Sequence, residues 1–255
     1  MEIFAQIDTW VALLTLTFLE IVLGIDNIIF ISIATSKLPK EQQRKGTNIG
    51  LILAMIFRII LLLGVSYLIA MKDPWITINT TWLTTEITGQ SIILILGGIF
   101  LLYKSTSEIH HKVEGISDED SGPKKKASTL SRVIVQIVLI DIVFSFDSVL
   151  TAVGMTNGVN GALIIMITAV VISMIIMMLF ANPVGQFVNK HPTIQMLALS
   201  FLILIGFMLI TEGAHLANTV IFHQHVGAIP KGYLYFAIAF SLGVEALNMK
   251  IRKKK

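Results

Sequence analysis

Apolar residues fall in long runs along this chain, and polar residues are confined largely to the stretches between them. A helix needs about 20 mostly apolar residues to cross a bilayer. Seven runs predict such helices, at 10–34, 47–71, 89–104, 132–155, 160–181, 194–212 and 232–249; the third and the seventh are the shortest. A few polar positions break the pattern from inside. Glu20, Asp26 and Asn27 lie in the first run, Arg58 in the second, and Asp141, Asp147 and Ser148 in the fourth. An ionised Asp at the centre of a membrane helix costs about 2.5–3.5 kcal/mol on insertion scales. Such residues are retained where function needs them.

The basic residues orient the chain. Sixteen of them lie in alternate connections and the C-terminal segment, against two, Lys72 and Lys231, on the other side. Positive residues mark the cytoplasmic face. The expectation is an outside N-terminus and a cytoplasmic C-terminus, in accord with an odd number of helices. Trp10, Trp75 and Trp82 then fall near the outer interface, where aromatic belts form. Residues 1–10, MEIFAQIDTW, lack the basic flank of a cleavable signal peptide, so the first hydrophobic segment is expected to be retained. The segment 114–129, EGISDEDSGPKKKAST, reads as a polar cytoplasmic linker.

The fourth run repeats the first. LEIVLGIDNIIF (19–30) and IDIVFSFDSVL (140–150) place Glu20 against Asp141 and Asp26 against Asp147, both at an offset of 121. More weakly, LGGIFLL (96–102) matches LIGFMLI (204–210) at an offset of 108. The expected fold is all-α, a single polytopic membrane domain over 1–255. It would comprise a three-helix repeat at 9–104, a linker at 105–131, a second three-helix repeat at 132–215 and an added helix at 232–249. Three helices per repeat invert the second copy, the architecture of many secondary transporters, whose sites lie at the repeat interface. At 1.5 Å per residue, Asp26 and Asp141 lie roughly 12–14 Å from the cytoplasmic helix ends and Glu20 and Asp147 roughly 21–22 Å. This predicts an inner layer of Asp26 with Asp141 and an outer layer of Glu20 with Asp147. Arg58, roughly 16 Å deep, falls between them and can neutralise a carboxylate. Glu20 and Asp26 are six apart and share a face only if the helix bends, for which Gly24 is the candidate; the second copy has Ser145 there.

Composition changes this picture in one respect. At 55% hydrophobic and 14% charged, with no cysteine, the chain excludes disulfides, thiolate metal sites and thiol catalysis. Candidate ligands are therefore oxygens: Glu20, Asp26, Asn27, Asp141, Asp147, Ser148 and freed backbone carbonyls. All-oxygen sites suit hard cations such as Mg2+, Ca2+ and Mn2+. Four acids and Arg58 sum to −3 if all are ionised; a divalent ion leaves −1, and one proton neutralises that. Plainer readings stand beside these. Asn27 and Ser148 can act as interhelical hydrogen-bonding glue, and Arg58 as a structural counter-ion. Arg58 and Glu245 are the candidates for a charge partner or coupling role, although Glu245 and Asn248 also suit interfacial solvation. Glu212 suits solvation at the outer surface, and His215, His223 and His225 are a weak metal-collecting signal in the outer loop. Met174, Met177 and Met178 read as packing residues.

The paired segments LEIVLGIDNIIF (19–30) and DIVFSFDSVLTAVG (141–154) resemble the signature of the TerC family of integral membrane proteins. LALSFLILIGFMLI (197–210) and PKGYLYFAIAFSLGVEALN (230–248) resemble its YgdQ-like branch. The resemblance covers nearly the whole chain. It implies a seven-helix bacterial inner-membrane protein, from a family with members linked to manganese export or to metal supply for secreted enzymes. It also implies Glu20, Asp26, Asn27, Asp141 and Asp147 as metal-site residues, Mn2+ as the bound or transported ion, and protein secretion machinery as a partner. Besides metal and lipid, no prosthetic group and no nucleic-acid partner is expected.

The leading expectation is a Mn2+ exporter, with proton exchange as a coupling. Transport of another hard cation and a metal-delivery scaffold without net flux are the alternatives. An intramembrane aspartyl protease would use two aspartates sharing one proton. Here Gly24-Ile25-Asp26 stands in place of the Gly-x-Gly-Asp associated with such enzymes, and the duplicated acids exceed what a dyad needs.

Overall fold

The computed structural model describes residues 7–114, 129–156, 159 and 161–252, save the side chains of Leu23, Ile25 and Asp26. Its long helices are α1 (Ile7–Thr35), α2 (Lys40–Leu63), α4 (Gly89–Val113), α5 (Leu130–Met155), α6 (Ala162–Lys190), α7 (Pro192–Leu216) and α8 (Lys231–Arg252). These seven are long and apolar enough to cross a membrane, as the hydrophobic pattern predicts. A short α3 (Val65–Ala70) follows α2.

Helix ends follow local chemistry more closely than the hydrophobic runs do. α2 starts at Lys40, directly after Pro39, well before its apolar stretch, and stops at Leu63. The N–H of Gly64 closes that end on the Ile60 and Leu62 carbonyls, so the helix expected to reach 71 is interrupted there. α4 opens on a capping box, in which Thr88 and Ser91 satisfy each other's backbone N–H groups. It then runs on to Val113 rather than ending at 104, carried by Lys104–Glu108 at 2.8 Å and a basic last turn. The start of the expected linker is thus helical; 115–128 lie outside the described residues. α6 likewise continues through Pro183 to Lys190. α7 starts with Pro192, whose missing N–H costs nothing in the first turn.

The connections after α3 and α7 form a small sheet in place of simple loops. β1 (Pro74–Asn79) pairs antiparallel with β2 (Leu83–Thr88), β2 with β3 (Val220–Ile221), and β3 with β4 (Gln224–His225). Thr85 and Thr219 share a buried 2.8 Å hydrogen bond across this sheet. The β3–β4 turn is made by Phe222 and His223, both at positive φ.

The elements group into two compact units. One holds α1, α2, α3, α5 and α6; the other holds the sheet, α4, α7 and α8. In the first, α5 packs on both α2 and α1, around Leu16, Phe30, Leu51, Ile137 and Phe146. In the second, α4 lies along α7. A Cβ on Gly98 would stand 2.5 Å from the Gly206 carbonyl oxygen, and one on Gly206 would stand 2.9 Å from that of Gly98. The contact is reciprocal in its flanks too: Gly98 faces Ile210, and Gly206 faces Leu102. These are the positions that the 108-residue offset matches. Small residues at such a seam let membrane helices gain close van der Waals packing where lipid removes the hydrophobic drive. Large apolar side chains such as Phe18, Ile60, Phe180, Phe207 and Phe236 point outward instead, the surface a bilayer solvates.

Candidate functional site

The buried polar residues of the first unit converge on one side chain. α1 carries Glu20 and Asn27, seven residues and so about two turns apart, on one helix face. α5 carries Asp141 and Ser145, four apart and again on one face. α2 supplies Arg58. All five are buried, between 0% and 5% exposed. The Arg58 guanidinium pairs with Glu20 through one terminal nitrogen and with Asp141 Oδ1 through the other, the latter at 3.3 Å. Its Nε donates to the Ser145 hydroxyl at 2.8 Å. Ser145 passes its own proton on to Asp141 Oδ2 at 3.0 Å, and Asn27 Nδ2 donates to Asp141 Oδ1 at 3.3 Å.

Two carboxylates against one guanidinium leave this cluster at −1 when all three are ionised. Taking an ion from water into such surroundings costs several kcal/mol, offset here by pairing and hydrogen bonds. One acceptor is left over: Asn27 Oδ1 is buried and has no hydrogen-bond partner. An orphaned acceptor on a side chain that touches a carboxylate suits a hard cation. The residues able to contribute oxygen are thus Glu20, Asp141 and Asn27. Among the described residues no group of three or more His, Asp or Glu side chains forms a metal cluster.

Arg58, expected between the two layers, touches one acid of each, Glu20 and Asp141. Counted from Lys40, Arg58 stands about 27 Å along α2, and Glu20 stands about 22 Å from the end of α1. A long, forked guanidinium then spans two levels. No unwound turn forms at Gly24: α1 is helical through it. Gly24 serves close approach instead, because the Met177 sulfur stands 2.1 Å from where a Cβ would be. Met177 is the packing residue it was expected to be.

The other candidates sit as follows. The Asp26 side chain lies outside the described residues. Asp147 is half-buried on α5. The Ser148 hydroxyl is buried and turns back to the Ser145 carbonyl at 3.3 Å, a bond within α5 rather than between helices. Glu245 belongs to the second unit, exposed, and accepts from Thr193 at 2.6 Å and Asn248 at 3.4 Å. His215 meets the Val226 carbonyl at 3.3 Å. Ser145 belongs to the cluster, a place that the repeat by itself does not predict. Its spacing of four from Asp141 was the available signal.

A polar cavity of about 540 Å³ also opens in the first unit, at the ends of α1 and α2 and beside Pro183 of α6. Lys40 and Arg44 line it with hydroxyls and amides and no acid, so its electrostatics suit an anion better than a metal ion.

Seven membrane-length helices among the described residues, three of which share a buried charge cluster, define a polytopic integral membrane protein. The family model for the integral membrane protein TerC family matches residues 5–255, and the chain belongs to that family. The inner membrane protein YgdQ of Escherichia coli (strain K12) is 47% identical over 248 residues, covering 97% of this chain and 95% of YgdQ. A UPF0053 protein of Haemophilus influenzae is 43% identical over 252 residues, covering 99% and 98%. The inner membrane protein YoaE of Escherichia coli (strain K12) is 44% identical over 253 residues, but the chain covers only 45% of it. No solved structure matches the chain.

Proposed function

We propose that this chain is a transporter that exports a hard divalent cation, Mn2+, across the bacterial inner membrane. The observation that carries the reading is the cluster of Glu20, Asn27 and Asp141 around Arg58: buried oxygens of one sign, drawn from both halves of the chain, with an acceptor to spare. The oxygen-only donor set selects the hard-cation class. Family membership supports transport, and the resemblance singles out Mn2+ within the class. Asp26, Asp147 and Ser148 complete the ligand set at other stages of passage. The names of the relatives support the inner membrane. The bias of basic residues supports an outside N-terminus and a cytoplasmic C-terminus, with proton entry balancing the exported charge. The two halves act as inverted repeats, a reading supported by the reciprocal Gly98–Gly206 seam and by the two acids that meet at Arg58.

The test is uptake of radioactive Mn2+ into inside-out vesicles by the wild type and by Glu20→Gln, Asp141→Asn, Asp26→Asn and Asp147→Asn. Uptake should be saturable in the wild type and fall by about 100-fold or more in the variants, the scale of losing a buried charged ligand. Equal uptake in all five would refute the proposal. Binding without flux would instead point to a delivery scaffold.

A further inference from the structure

We infer that Arg58 is a tethered competitor for the transported ion: its guanidinium and the divalent cation occupy the Glu20 and Asp141 oxygens in turn. This rests on the transport reading above and adds the group that drives ion release. The geometry makes the two occupants exclusive. The terminal nitrogens of Arg58 hold Glu20 Oε2 and Asp141 Oδ1, one oxygen on α1 and one on α5. A cation bridging these helices takes the same oxygens. In so enclosed a place, a guanidinium and a divalent ion cannot remain side by side, because charge repulsion is screened little there.

The surroundings fit an exchange rather than a fixed pair. Arg58 makes one contact that is not a carboxylate, Nε to Ser145 at 2.8 Å. That contact is made by the guanidinium itself, so it helps hold the arginine on the acids and is given up when the arginine leaves them. Asn27 Oδ1 is the complementary feature: Arg58 leaves it unpartnered, and only a cation or a donor would use it. A fixed structural ion pair gives no role to that buried oxygen. As the ion leaves, Arg58 returns and neutralises the carboxylates, so the carrier can reset without taking up a proton for each acid.

Equilibrium Mn2+ binding and Mn2+ transport should be measured on the full chain reconstituted in lipid. For R58Q, removal of the competitor should tighten Mn2+ binding on the order of tenfold, because the binding-competent fraction rises. Turnover should fall by a similar factor, since release loses its driver. A merely structural arginine would weaken binding and transport together. R58K keeps the charge without the two-pronged fork and should fall between. If R58Q does not fold, S145A carries the test: freeing the anchor should lower the Mn2+ dissociation constant about threefold, by the same population argument. A folded R58Q, or failing that S145A, with unchanged or weaker Mn2+ binding overturns the inference. A wild type with no saturable Mn2+ binding refutes the transport reading instead.

Discussion

The two units of this molecule solve the same problem, joining two halves of a chain inside a membrane, with opposite materials. In the first, α1 and α5 are linked through charge: Glu20 and Asp141 both hold Arg58 of α2. In the second, α4 and α7 meet at the Gly98–Gly206 backbone seam, where a side chain has no room. A charge cluster in a membrane is costly and can be rearranged by another ion. A glycine seam depends on shape alone, and no ligand short of lost packing can open it. The comparison assigns chemistry to the first unit and scaffolding to the second.

That contrast can be broken most forcefully in the charged unit. Asp141→Asn removes one partner of a buried ionic group, a loss of about 3–5 kcal/mol. It should abolish Mn2+ uptake and lower the unfolding temperature together. The triple variant Glu20→Gln/Arg58→Gln/Asp141→Asn removes every charge of the cluster and should recover much of that stability without recovering transport; a thermal-melt comparison reads the difference. In the glycine seam, Gly98→Val would place methyls against the Gly206 carbonyl, overpacking that costs about 1–3 kcal/mol or more. Stability and yield should fall, yet uptake per folded molecule should stay near wild type. A selective loss of transport there would erase the division of labour. A smaller loss of about 1 kcal/mol is expected from Thr88→Ala, which removes the α4 capping box and should appear in the melt alone. The smallest effect is reserved for Glu245→Gln. Its carboxylate is exposed on α8 with Thr193 and Asn248, so uptake should not change. A marked loss of uptake would restore Glu245 as a coupling residue.

The hydrophobic pattern alone determined the class of this protein. Seven apolar runs of membrane length require seven helices, because lipid leaves backbone groups no other partner. Two of the matched acids, Glu20 and Asp141, marked where the buried charge cluster lies, because charge inside such a run is too costly to be incidental. Helix ends escaped the hydrophobic count because they depend on caps, prolines and Gly64, which that count passes over. The sheet was hidden for a similar reason. Its strands are only two to six residues long, and the β3–β4 turn uses Phe222-His223 where a readable hairpin has Asn-Gly. Tertiary structure alone decided which acids share a cation, that Ser145 bridges Arg58 and Asp141, and that Gly24 admits Met177 rather than a bend. Each of these depends on how helices distant in sequence lie against one another. The pattern within a helix reports its own faces and cannot specify its neighbours.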